Sequence, residues 1–215
     1  MNGPGVVTID GPAASGKSSV ARAVAAQLGV PFVSSGLLYR GATWLLQEAG
    51  IEPQDERSVL AELQRHSVRL DDGVSSSGLV LDGTARSAEL HTDEIDASVS
   101  IVAAYPGVRE WANRQLRQLE GSFIVEGRDM GTAVFPGAPH KFFLDAPVHV
   151  RAERRLGERK AGLLELREQL ARRDLLDSRQ LRPAEDAVRI DTEHLDLEEV
   201  TALVLGSIAG QAEPG

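Results

Sequence analysis

The chain has 215 residues, 42% of them hydrophobic and 26% charged, with a formal net charge of −9 and no cysteine. That length supports one domain with a sizeable core, disulfides and thiolate metal sites are excluded, and the acidic balance speaks against nucleic acid as a partner. The N-terminus MNGPGVVTID does not read as a signal peptide and no apolar run is long enough to span a membrane, so a cytoplasmic chain with no membrane partner is expected, and a monomer.

Val6-Val7-Thr8-Ile9-Asp10 predicts a buried strand between Gly5 and Gly11. Val20, Val24 and Leu28 recur at helical spacing and predict a helix over 18–28, stopped by Gly29. Pro31-Phe32-Val33 reads as a second strand, and residues 37–49 as a second helix ended by Gly50. A short helical stretch over 59–66 precedes Val68-Arg69-Leu70 and Leu79-Val80-Leu81. With the turn residues 71–78 and Asp82-Gly83, these read as an inserted β-hairpin. Residues 93–119 are expected to be mostly helical, with a break near Pro106-Gly107. Phe123-Ile124-Val125, residues 141–145 and residues 187–191 complete five strands. Helices are expected over 148–156, 163–173 and 197–208, and a frayed tail over 211–215. Apolar strands alternating with helices predict an α/β fold with a five-stranded parallel sheet covered by helices on both faces. Ligands of such sheets bind beyond the carboxyl ends of the strands.

Gly11-Pro12-Ala13-Ala14-Ser15-Gly16-Lys17-Ser18 matches Gly-x4-Gly-Lys-[Ser/Thr] at each fixed position, after a predicted strand and at a helix start. Glycines let consecutive N–H groups face one anion, and the helix N-terminus adds its positive end. The loop, continued by Ser19, is therefore expected to bind ATP, with Lys17 reaching the β- and γ-phosphates and the Ser18 hydroxyl entering a Mg²⁺ shell. The switch motifs of GTPases, Asp-x-x-Gly and Asn-Lys-x-Asp, are both missing, and no strand ends in Asp-Glu as in motor or transporter ATPases. A small phosphotransferase is the class left.

Ser34-Ser35-Gly36-Leu37-Leu38-Tyr39-Arg40 follows the second strand and opens a helix, a second place where an anion can settle, with Arg40 one turn in. Glu126-Gly127-Arg128-Asp129-Met130-Gly131-Thr132 follows the third long strand, where chemistry is expected, although a salt-bridged turn would look the same. Residues 151–173 hold eight basic residues against four glutamates, which reads either as a solvated helix or as a local anion clamp.

Thr8-Ile9-Asp10-Gly11-Pro12, Ser35-Gly36-x-x-Tyr39-Arg40 and Gly127-Arg128-Asp129-Met130-Gly131-Thr132 with Val134-Phe135-Pro136 together resemble the bacterial cytidylate kinases over nearly the whole chain. The resemblance implies a P-loop kinase core at 1–34, 113–150 and 174–215. It also implies an acceptor-binding lobe at 35–112 with a β insertion at about 67–100, and a short lid with flanking helices at 151–173. Ser35, Arg40 and Arg128 would contact the phosphate of CMP or dCMP, and Ser100, Arg109 and Asp129 would read the cytosine ring. Arg173 and Asp177 would contact the sugar, and Arg154 would face the ATP phosphates. Lys17, Arg128 and Arg154 would be the catalytic set. A sibling enzyme acting on UMP, AMP or another small acceptor is the first alternative, and a nucleotide-binding regulator without turnover the second. The chain departs from the family at Gln180, where many members carry a further arginine in a longer loop. Arg179 and Arg182 are near but out of register, and the lid around 157–162 is short.

Overall fold

The computed structural model describes residues 3–72, 77–156 and 162–211. Its first half runs β1 (Val6–Asp10), α1 (Lys17–Leu28), β2 (Phe32–Ser34), α2 (Gly36–Glu48), α3 (Glu56–Leu63), β3 (Val68–Asp72), β4 (Ser77–Leu81) and β5 (Thr84–Arg86). The second half runs α4 (Asp93–Ala104), α5 (Pro106–Leu116), β6 (Phe123–Gly127), β7 (His140–Asp145), α6 (Val148–Leu156), α7 (Leu163–Leu176), β8 (Val188–Asp191) and α8 (Leu197–Gln211). The greater part of the expected lid, residues 157–161, lies outside the described residues, as do the insertion turn at 73–76 and the tail from 212.

Five strands form one parallel sheet in the order β2-β6-β1-β7-β8. Period-two alternation divides its side chains between two cores. Val7, Ile9 and Ile124 turn to α1 and α8, meeting Val20, Val24, Val200 and Val204. Val33, Phe123 and Val125 turn to the other face, which α2, α3, α4 and α5 cover with Leu38, Leu46, Val59, Val102 and Val108. The central strand β1 is flanked by β6 and β7, so the chain changes direction across the sheet at the tip of β1. A crevice opens at such a point.

The insertion is a three-stranded antiparallel sheet, β3-β4-β5. Asp82 and Gly83 take φ of 49° and 77° between β4 and β5, the left-handed pair that makes a tight hairpin turn. The third strand was not foreseen, because Thr84-Ala85-Arg86 is too short to show a period. Helix α3 starts earlier than its apolar spacing suggests, because the Asp55 side chain accepts from Arg57 N and caps it. The break between α4 and α5 falls at Tyr105, held extended by the proline that follows it. Helix α7 continues past residue 173 to Leu176, which puts Arg173 and the C-cap Asp177 one turn apart.

Candidate active site

The loop between β1 and α1 has the backbone that the motif requires. Gly11 and Gly16 have φ of 151° and 90°. A Cβ on Gly11 would lie 2.1 Å from the Leu144 carbonyl oxygen, so no other residue fits there. Helix α1 opens at Lys17 with no side-chain cap, which leaves its first N–H groups for a ligand. The Lys17 ammonium donates to Pro12 O at 3.1 Å and lies 3.8 Å from Glu126 Oε2. Burial, and then the Arg128 charge, pull its pKa down to about 7 against the opposing pull of Glu126. A phosphate against this ammonium would restore its charged form.

Asp10, the last residue of β1, uses both carboxylate oxygens on the turn after β6. Met130 N donates to Oδ1 and Gly131 N to Oδ2, each at 2.8 Å. Burial raises the Asp10 pKa to about 6, although the two N–H groups pull it down. The pinned turn presents Arg128, whose Nη1 donates to Gly11 O at 3.1 Å and whose Nε donates to Asp177 Oδ2 at 3.0 Å. Arg128 thus joins the nucleotide loop to the end of α7.

A cavity of about 230 Å³ opens at the switch point. Lys17 and Ser18 enter it from the loop side, with Ala13 and Ala14. Ser35, Arg40, Ser100, Arg109, Arg128, Asp129, Arg173 and Asp177 enter from the other side, so residues spread over the sequence meet as expected. Arg109 donates to Asp129 Oδ2 and to Ala103 O, and its guanidinium lies 5.7 Å from the centre of the Tyr39 ring. Three buried polar atoms on these walls find no hydrogen-bond partner within the protein: Tyr39 Oη, Asp129 Oδ1 and Arg173 Nε. Each such atom costs about 1–3 kcal/mol when left bare, so their gathering in one cavity points to a polar ligand. The Tyr39 hydroxyl is held protonated, its pKa pushed up to about 12 mainly by burial.

Arg154 does not line this cavity. It donates to Thr192 Oγ1 at 3.0 Å and to Thr192 O, behind the nucleotide loop, where Thr192 in turn donates toward Ser15 O. Its neighbour Arg155 lines the cavity instead. Gln180 lines the wall where the further arginine of the family would stand, while Arg179 and Arg182 are exposed and absent from it. Glu126 was overlooked as a site residue. It is 5% exposed, accepts from Ser34 Oγ and faces Lys17. Sequence spacing carries no sign of this, because only the parallel register of β6 with β1 sets Glu126 opposite Ile9 and beside the loop.

The Ser18 hydroxyl is exposed at the cavity and fits a Mg²⁺ ion held otherwise by phosphate oxygens and water. No cluster of three His, Asp or Glu suited to a metal occurs among the described residues, and that mode of binding needs none.

A parallel sheet with this loop at its switch point, and arginines from five further segments facing it across one cavity, define a P-loop phosphotransferase. A family model described as Cytidylate kinase matches residues 7–209. A cytidylate kinase from Thermus thermophilus is 52% identical over 95% of this chain and 98% of its own length. Another from Deinococcus deserti is 50% identical over 96% of this chain and all of its own length. The chain belongs to the cytidylate kinase family. A solved shikimate kinase from Acinetobacter baumannii in complex with shikimate aligns over 97% of this chain and 95% of its own, with a TM-score of 0.51 and 14% identity, a likeness of fold alone.

Proposed function

We propose that this protein transfers the γ-phosphoryl group of ATP to CMP, and to dCMP, giving ADP and the diphosphate. The observation that carries the reading is the shared cavity: Lys17 of the nucleotide loop and Arg40, Arg128 and Arg173 of the acceptor side open on one small volume. Two anions brought there need this concentration of positive charge, and phosphoryl transfer needs chiefly positioning and charge neutralisation.

In this reading the loop from Gly11 to Ser19 wraps the donor phosphates and Lys17 holds the β- and γ-phosphates. Ser35, Arg40 and Arg128 grip the acceptor phosphate, one oxygen of which attacks the γ-phosphorus in line as the bond to the ADP oxygen breaks. Arg128 is held from both ends, by Gly11 O and Asp177, so its charge is in place before reaction and no reorganisation is needed. Arg154, engaged with Thr192, acts on the donor phosphates only through the loop that Thr192 touches at Ser15 O. Mg²⁺ at Ser18 supplies further neutralisation of the phosphates. Ser100, Arg109 and Asp129 read the cytosine ring, with the bare Asp129 Oδ1 a ready acceptor for an amino group. Arg173 and Asp177 take the sugar. The enzyme acts as a cytoplasmic monomer on small molecules, with neither nucleic acid nor membrane as partner. No helix among the described residues is long and apolar enough to cross a membrane.

The test is ADP release from ATP and Mg²⁺ with and without CMP. Release that depends on CMP supports the reading. ATP hydrolysis indifferent to CMP, or no turnover, counts against it.

A further inference from the structure

Asp96 of α4 makes two contacts that the acceptor-site residues do not account for. Its Oδ1 accepts from Arg40 Nη2 at 2.5 Å and its Oδ2 accepts from Arg155 Nη2 at 3.0 Å. Arg40 comes from α2 and Arg155 from the last turn of α6, so one carboxylate joins three elements. Both arginines line the cavity. Arg40 is also fixed through Nη1, which donates to Leu90 O at 2.8 Å. Side-chain exposure is 13% for Arg40, 16% for Asp96 and 19% for Arg155, so the group is partly shielded from solvent.

We propose that Asp96 is a positioning residue for phosphoryl transfer: it holds Arg40 and Arg155 as an oriented pair at the cavity, linking the acceptor side to α6. This rests on the proposed function. An arginine side chain has several rotatable bonds, and an unanchored one near the end of a helix spreads over many orientations. A bidentate carboxylate selects one. It also offsets the repulsion between two guanidiniums that must share a site. Lys17, Arg109, Arg128 and Arg173 line the same cavity with Glu126, Asp129 and Asp177, so with Arg40, Arg155 and Asp96 six cations meet four carboxylates and an anion is still needed. The depressed pKa of Arg173, about 10 through burial and then Arg128, agrees with that excess. Asp96 therefore orients the charges without cancelling them, and charge fixed in advance is worth most in the transition state.

The test is steady-state kinetics of Asp96→Asn and Asp96→Glu with ATP and CMP each varied, with melting temperatures, and a double-mutant cycle against Arg155→Ala. The expected result is a fall in kcat of about tenfold for Asp96→Asn, with both KM values within about threefold, because the interaction matters in the transition state. Asp96→Glu should recover most of the loss. In an Arg155→Ala background Asp96→Asn should lower kcat by about threefold, less than in wild type, since one of the two arginines it orients is gone while Arg40 remains. Unchanged kcat in Asp96→Asn overturns the proposal, and a lower KM for CMP beside it would make Asp96 a competitor of the acceptor phosphate. A loss confined to the KM for CMP overturns the pairing and leaves Arg40 alone. Additive losses in the cycle, or a fall matched by melting and not rescued by Glu, make Asp96 merely structural. Wild-type protein inactive on CMP sinks the proposed function and this inference together, whereas active wild type with an unaffected Asp96→Asn sinks this inference only.

Discussion

Asp10 and Gly131 are joined by a 2.8 Å hydrogen bond from the Gly131 N–H to Asp10 Oδ2, which fastens the last residue of β1 to the turn that carries Arg128. Met130 N makes the companion bond to Oδ1. Truncating Asp10 strands two buried N–H groups.

Asp10→Ala should therefore cost about 3 kcal/mol of stability or more, at about 1.5–3 kcal/mol for each bond to a charged group. Asp10→Asn keeps one acceptor oxygen and removes a charge that burial already disfavours, so its loss should be the smaller. Denaturant unfolding measures both. A loss below about 1 kcal/mol for Asp10→Ala would contradict the pinning role.

Lys17→Ala should lower kcat by about 100-fold or more, the scale of losing one preorganised charge stabiliser, while the protein stays folded because the side chain faces ligand. The affinity for ATP should also weaken as pH rises above about 7, where the Lys17 ammonium of the free protein loses its proton. Calorimetric titration with ATP across this range gives the profile. A variant keeping a tenth of the activity, or a flat affinity, contradicts the assignment.

Arg179→Ala and Arg182→Ala should each raise the KM for CMP less than about threefold, as exposed charges do. Gln180 occupies the wall and neither arginine reaches it. A tenfold rise in either, with the KM for ATP unchanged, would mean that the loop swings a substitute into the site.

The motif of the nucleotide loop is local in sequence, and so are the strands β1, β6 and β7, whose apolar runs are continuous; these were legible. So was the gathering of Arg40, Arg109, Arg128 and Asp177, through family resemblance and not through spacing. What the sequence concealed depends on helix phase and on pairing in space. Arg154 and Arg155 are adjacent, and only the docking of α6 decides that the first meets Thr192 and the second the cavity. Glu126 gains its meaning from the parallel register that sets it opposite Ile9, and Asp96 from the contact of α4 with α2 and α6. No periodicity reports such cross-chain meetings.

His66 sits between two carboxylates, with Nδ1 2.6 Å from Asp82 Oδ2 and Nε2 3.0 Å from Glu62 Oε1. The bonds to Asp82, then to Glu62, raise its pKa above the usual imidazole value. Its stabilisation of the insertion is therefore complete below the unfolded-state pKa of about 6.5 and fades as pH rises through the higher folded-state value. The melting temperature of wild type should exceed that of His66→Gln in mildly acidic solution and converge with it in alkali. A difference that stays constant or grows with pH would contradict the ion-paired histidine.

The central claim is that the cavity reads cytidine monophosphate and passes it a phosphoryl group. A competition assay measures it most directly, with CMP, UMP, AMP and GMP mixed, ATP as donor and each diphosphate quantified. A site built on Ser100, Arg109 and Asp129 leaves buried polar groups unpaired when a purine enters. CMP should be preferred over AMP and GMP by about 100-fold or more in kcat/KM, with UMP between. Equal conversion of AMP and CMP would contradict the account of base recognition.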